Sequence, residues 1–208
     1  MSKINPIERV ARLRRAKPTR KRELGDRLPE GQFVTEKFPV LTYGAVPKID
    51  LDTWRLRVTG LVEEEFELDW KEFTSLPTTR VEADIHCVTR WTKLDTVWEG
   101  VAVRDLALRA KPRSAARFVM QHSYGGYTTN LPLDEIADED VLLAYRFGGE
   151  PLAEEHGGPV RVVVPKLYFW KSAKWVNELE FLAEDSPGFW EGYGYHNHGD
   201  PWKEERFG

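Results

Sequence analysis

A lone cysteine, Cys87, in 208 residues excludes any intramolecular disulfide. With no signal-like segment beside it, the chain is expected in a reducing, cytoplasmic compartment. No apolar run approaches the roughly 20 residues a membrane-crossing helix needs, so no membrane span is expected. Arg14-Arg15 resembles half of a twin-arginine export signal, but no hydrophobic stretch follows it. The glycine-rich phosphate cradles GxGxxG after a strand and GxxxxGK[ST] are missing, and so is the GxSxG elbow. Without CxxC or HExxH there is no zinc site of ordinary spacing. Positive charge is also scarce outside one end. Residues 1–28 carry ten Lys/Arg against three Asp/Glu, while the whole chain sums to −4, so the body is acidic. An acidic body argues against a nucleic-acid-binding core. The arm Ile7–Ala16 fits a short basic helix ending before Pro18, either solvated or touching an acidic partner, nucleic acid or anionic lipid.

Eight tryptophans and thirteen prolines are what the chain has in excess. They point to a β-rich fold with shaped turns and an aromatic-lined pocket. Phe38–Pro47 reads as an irregular loop bracketed by prolines. Trp54, Leu56 and Val58 alternate with polar residues, predicting a strand over 53–60 with one buried face. Residues 66–73 begin extended and turn helical before Pro77. A short strand at 97–103 runs into a two-turn helix over 103–110, stopped by Pro112. Residues 116–122 and 127–131 form a hairpin about a glycine turn, 133–137 a helical turn, and 141–147 a buried strand. Val160–Pro165 suits a central strand, and 174–182 a further one. The aromatic-rich tail from Pro187 has no period and is expected to wrap the core. The sum is one α+β domain, β-dominated, over 35–208, preceded by a basic arm over 1–34.

Cys87 ends an alternating run and precedes a polar turn. Taken alone it is a buried filler, a nucleophile or a soft metal ligand. His86 and Arg90 offer charge that lowers a thiol pKa. His196-Asn-His198 with Asp200 is either a metal site or part of a solvent-facing tail. A more telling set lies downstream. His156-Gly-Gly-Pro-Val-Arg161 precedes the valine-rich strand, and Lys171-Ser-Ala-Lys174 follows it after three aromatics. Guanidinium, ammonium and hydroxyl groups in that order suit a multiply anionic cofactor, though Arg161 and Lys174 are equally at home in structural ion pairs.

Gly149-Glu-Pro-Leu152, the run from His156 to Pro165 and Lys171-Ser-Ala-Lys-Trp175, with Cys87 upstream, together resemble the molybdopterin-binding domain of the sulfite oxidase family. The resemblance spans residues 35–205 and extends to the tail Trp190-Glu-Gly-Tyr-Gly-Tyr-His196 of small cytoplasmic sulfite oxidase-like oxidoreductases. It implies a mixed-sheet fold with short helices, and a molybdenum ion carried by one molybdopterin. It implies Cys87 as the metal's thiolate, and His156, Arg161, Ser172, Ala173 and Lys174 as cofactor contacts. Thr42, Tyr43 and His122 match cofactor-contacting positions more loosely. Tyr195, five residues after Trp190, is implied as a proton or hydrogen-bond donor beside the metal, with Tyr193 as its rival. Arg90 is the candidate substrate contact.

Two departures stand out. An apolar residue near Leu41 occupies the place of a family arginine, and the basic pair after the cysteine shrinks to Arg90 at another spacing. An inorganic oxyanion is therefore poorly provided for. The family's haem and dimerisation domains are not seen in the sequence, so a separate electron-transfer partner and a monomer are expected. The implied activity is oxygen-atom transfer on a small sulfur- or nitrogen-containing substrate. The alternative is a non-catalytic molybdopterin-binding scaffold or carrier.

Overall fold

In the computed structural model, which describes residues 24–208, short alternating segments become strands of two mixed sheets. The first sheet contains β1 (Phe33–Val34), β4 (Thr79–His86), β5 (Trp91–Ala102), β8 (Leu142–Phe147), β9 (Glu150–Pro151) and β10 (Arg161–Val163). The second runs β3-β2-β11-β6-β7, from β2 (Arg55–Gly60), β3 (Phe66–Asp69), β6 (Phe118–Ser123), β7 (Thr128–Pro132) and β11 (Val176–Leu182). β11 lies parallel to β2 and antiparallel to β6. Four short helices punctuate the described chain: α1 (Trp70–Ser75), α2 (Val103–Ala110), α3 (Leu133–Ile136) and α4 (Phe189–Gly192). A reciprocal cap between Asp69 and Glu72 starts α1. Lys111, in the left-handed region at φ 55°, ends α2 just before Pro112.

The apolar pattern explains the layering. Leu56, Val58, Val119, Leu131 and Leu179 of the second sheet meet Val101, Leu143 and Val162 of the first in one core. Leu142, Ala144 and Val163 point the other way, into a second cluster with Ile85, Cys87, Trp91, Trp98 and Phe169. The first sheet is thus buried on both faces, which is why 141–147 and 160–165 read as continuous apolar runs. β5 also pairs at Gly100 with no room for a side chain, since a Cβ there would lie 2.1 Å from the Leu143 carbonyl oxygen.

Three expectations are corrected. The strand expected at 97–103 is a twelve-residue β5. Its first half is hidden in the sequence because Asp95, at φ 52°, and a register shift in the pairing with β4 break the alternation. β10 is three residues long and sits at the end of its sheet rather than in the centre. Its outer side is closed by Val162 N–H donating to the Ala173 carbonyl (2.9 Å). β11 starts at Val176 because Trp175 is left-handed at φ 54°. The basic helix expected over 7–16 lies outside the described residues. Residues 24–34 of the expected arm lie against the domain: Arg27 pairs with Asp84 and Asp95, each at 2.6 Å, and β1 runs parallel to β5.

The tail wraps as expected, and a buried ion pair pins it. Lys171 Nζ donates to Glu191 Oε1 (2.7 Å), Asn130 Oδ1 (3.0 Å) and the Asn197 carbonyl (2.8 Å). Glu191 Oε1 also accepts from Thr129 (2.8 Å) and Trp170 Nε1 (3.1 Å). Both charged side chains are at most 1% exposed. Removing one partner strands a buried charge. Glu191→Ala is expected to lower the free energy of unfolding in urea by about 3–5 kcal/mol, and Lys171→Met with Glu191→Leu to recover most of it.

Candidate functional site

Cys87 closes the β4–β5 hairpin. Its N–H donates to Trp91 O (2.9 Å), and its carbonyl accepts from Arg90 N–H (2.9 Å) and Gln32 Nε2 (3.1 Å). The residue is 7% exposed, and its sulfur lies 3.1 Å from Thr89 Oγ1. Burial pushes its thiol up, while Thr89, Arg206 and Lys174 pull more weakly the other way. A free thiol here is therefore protonated at neutral pH, and a metal must displace the proton to use the sulfur.

The thiol opens into a cavity of about 350 Å³. Of the sequence-predicted residues, Thr42, Tyr43, Cys87, His156, Arg161, Ser172, Lys174 and Tyr195 line it. Among the described residues no aspartate or glutamate does, although the body of the chain is acidic. Arg161, 1% exposed, sits at the start of β10. Its guanidinium donates to the carbonyls of His156 (2.8 Å), Ser172 (2.9 Å) and Val162 (3.3 Å), and lies 4.1 Å over the Phe169 ring. No carboxylate among the described residues pairs with it. Burial pulls it down to about 9, so it stays charged at neutral pH.

Lys174 stands beside it. Its Nζ donates to the carbonyls of Leu41 (2.9 Å) and Glu155 (2.7 Å). Burial first, then Arg161, draws it down to about 8. Gly157 makes this approach possible: at φ +105°, a Cβ there would fall 2.9 Å from Lys174 Cβ. His156 stacks on Phe38 at 3.9 Å, nearly parallel, and its buried Nδ1 has no hydrogen-bond partner. Burial, Arg161 and Lys174 lower its pKa, so its ring is neutral at pH 7. Two cations and a buried ring nitrogen that find no acid or hydrogen-bond partner, respectively, among the described residues, with a soft sulfur at the same cavity, fit a phosphate-bearing cofactor with a thiophilic metal.

Tyr195 stacks on Trp190 (5.1 Å, 21°) and meets Trp170 edge-on (5.1 Å, 83°). Its hydroxyl is pushed up by burial and by Cys87, and so keeps its proton. Tyr193 is 72% exposed and outside the lining, so of the two rivals only Tyr195 faces the cavity.

Other predicted residues are engaged inside the protein or lie outside the lining. Ala173 is fully buried behind the lining and its N–H is taken by Gln121 Oε1 (3.1 Å). The Ser172 hydroxyl accepts from Val164 N–H (2.9 Å), and its own N–H goes to Phe169 O (3.3 Å). The backbone N–H groups of both residues are thus spent on shaping the loop. Arg90 is exposed, outside the lining, and held at φ 78° by the turn. His122 also lies outside it, 2.9 Å from Glu180. Its neighbour Gln121 faces inward instead and clamps the loop at both ends, since its Nε2 donates to Lys171 O (2.9 Å). Parity with buried Val119 was the available signal for Gln121. Phe38, Thr89 and Tyr127 join the lining without having been singled out. His198 lies between Glu135 and Glu205, 2.8 Å from each, and no metal-holding cluster of His, Cys, Asp or Glu occurs among the described residues.

Comparison with known proteins bears on the same residues. The model of the oxidoreductase molybdopterin binding domain matches residues 43–190, a span containing Cys87, His156, Arg161 and Lys174. The uncharacterized oxidoreductase YuiH of Bacillus subtilis is 48% identical over 190 residues, covering 91% of this chain and 96% of its own. Sulfite oxidase of Arabidopsis thaliana is 30% identical over 183 residues, covering 71% of this chain and 47% of that protein. A Fusarium oxysporum nitrate reductase is 30% identical over 201 residues, or 82% of this chain and 22% of the enzyme. This chain thus spans about half of the plant sulfite oxidase and about a fifth of the nitrate reductase. Among solved structures, the sulfane dehydrogenase SoxCD from Paracoccus pantotrophus superposes with a TM-score of 0.61 at 22% identity, over 67% of this chain and 40% of that one. That likeness supports the fold.

Lys174 gives the site a pH signature in cofactor-free protein. Between about 8, its folded value, and 10.5, its ordinary one, the unfolded chain holds more protons than the folded chain. Stability contributed at this residue therefore rises with pH across that window. In urea titrations at stepped pH, wild type is expected to gain on Lys174→Met from pH 8 to 10.5; a flat difference contradicts the burial argument.

Proposed function

This chain belongs to the oxidoreductase molybdopterin-binding domain family and is a sulfite oxidase-like oxidoreductase whose cofactor is molybdenum–molybdopterin; on that footing we propose that the cavity beside Cys87 seats the cofactor, and that a small sulfur- or nitrogen-containing substrate gains or loses an oxygen atom there. One observation carries the placement: Arg161, a buried guanidinium with only carbonyl partners, lines the same cavity as the single cysteine. A buried cation without a counter-charge costs several kcal/mol unless an anion arrives. When bound, the cofactor supplies a metal that passes an oxygen atom and two electrons to or from the substrate.

The chain's own residues do the rest. Cys87 offers sulfur on a hairpin end whose carbonyl and N–H are both tied down, so the backbone that carries the donor atom is held in place. Arg161 gives a planar fork and Lys174 a point charge toward the cofactor's phosphate. His156, neutral and flat against Phe38, would form part of the wall that receives the pterin. Gln121, Ser172 and Ala173 hold the backbone from which Arg161 and Lys174 reach inward. Tyr195, protonated at neutral pH, donates a hydrogen bond to the oxygen being moved. Phe38, Trp170, Trp190 and Tyr127 keep water from the reacting centre. Electrons are exchanged with a separate protein or diffusible carrier. No described helix is long and apolar enough to cross a membrane.

The test is molybdenum and pterin content of protein purified from a molybdate-fed host. Wild type is expected to carry both, and Arg161→Ala to lose at least nine-tenths of both while keeping its far-ultraviolet circular dichroism. Full occupancy in the folded variant removes Arg161 from the site.

A further inference from the structure

The cavity's aromatic lining forms a connected series. Tyr43, 71% exposed, meets Phe189 (5.1 Å, 45°) and Trp190 (5.9 Å, 81°). Trp190 stacks on Tyr195, and Tyr195 meets Trp170, which is 9% exposed. These rings lead from solvent to the interior, and all of them line the cavity. Leu41, another lining residue, stands near the position where the family resemblance places an arginine.

The charge inventory is equally restrictive. Among the described residues the cations that line the cavity are Arg161 and Lys174, and a phosphate dianion accounts for both. Arg90 is exposed and outside the lining, and Arg206, which acts on the Cys87 thiol, is also outside it, donating to the Val88 carbonyl and lying over the Tyr168 ring. Among the described lining residues an anionic substrate therefore meets no third cation, and ring faces, negative by their quadrupole, repel it. A flat apolar group is favoured on the same surface, where offset or edge-on contact with Tyr43, Phe189 and Trp190 replaces water.

We propose that the substrate is a neutral molecule with an aromatic group on the sulfur or nitrogen that bears the transferred oxygen, such as an aryl sulfoxide or aromatic N-oxide, rather than an inorganic oxyanion. Tyr43, Phe189 and Trp190 are its specificity-determining contacts. The inference rests on the cofactor placement proposed above.

The experiment is calorimetric binding to air-oxidised, cofactor-loaded protein with no reductant present, so that a sulfoxide binds without turning over. Methyl phenyl sulfoxide, dimethyl sulfoxide and sulfate are the probes. Methyl phenyl sulfoxide is expected to bind at least tenfold more tightly than dimethyl sulfoxide, with sulfate weakest. Tyr43→Ala with Phe189→Ala is expected to bring the aryl preference to within twofold of unity, Tyr43→Ala alone to reduce it several-fold, and Tyr43→Phe to retain it. Because Tyr43 is mostly exposed, the single variants keep the fold, and circular dichroism checks the double. Sulfate binding as tightly as the aryl sulfoxide, or an aryl preference unchanged in Tyr43→Ala and the double variant, overturns the inference. Molybdenum and pterin are assayed on the same preparation. Their absence from wild type defeats the cofactor placement, whereas a loaded protein that prefers sulfate defeats only the substrate class.

Discussion

A buried guanidinium with no acid to meet it is the constraint around which this molecule is arranged. Arg161 is 1% exposed, held by three carbonyl oxygens and by the face of Phe169. Two of those carbonyls belong to the segments it joins, His156 before β10 and Ser172 after it. The side chain therefore organises the loops that form one side of the cavity. Gln121 reaches from the second sheet to fix the same loop, and the Lys171–Glu191 pair fixes its far end to the tail that carries Tyr195. Three of its five N–H donors are spent on carbonyls, while its charge meets no carboxylate among the described residues. That mismatch favours an anionic ligand over a purely structural role.

Cys87 depends on the same arrangement from the other side. Nothing in its hairpin marks it as a ligand, since burial makes it a weaker acid than a free cysteine. Its significance comes from the cations that share its cavity, about 70 to 90 residues later in the chain. A metal held there deprotonates the sulfur outright, so the neighbouring charges need not lower its pKa in advance. Arg90, which the sequence offers as an aid to ionisation or as a substrate contact, is instead used to turn the chain at φ 78°.

Much of the fold was legible because burial imposes a period. Trp54, Leu56 and Val58 alternate and are buried as read, and the helix over 103–110 has the expected bounds. The pattern failed where geometry is bought by a backbone exception: Asp95 hides half of β5, and Trp175 delays β11. At the site, residue types whose chemistry is unusual when buried, Arg161, Lys174 and Cys87, were readable. His122 and Gln121 show what was not: adjacent strand residues face opposite ways, and only the identity of the buried face tells which one reaches the loop. Ser172 and Ala173 lie where the resemblance implied, but their N–H groups are spent inside the protein, a fact no sequence pattern carries.

The central claim is that Cys87 sulfur and the cavity's cations address one cofactor, and X-ray absorption at the molybdenum edge tests it most directly. The spectrum of wild type is compared with that of whatever metal Cys87→Ser retains. The account predicts a sulfur shell smaller by one scatterer in the variant, together with lower metal content. Full metal content with an identical sulfur shell in both proteins would contradict it.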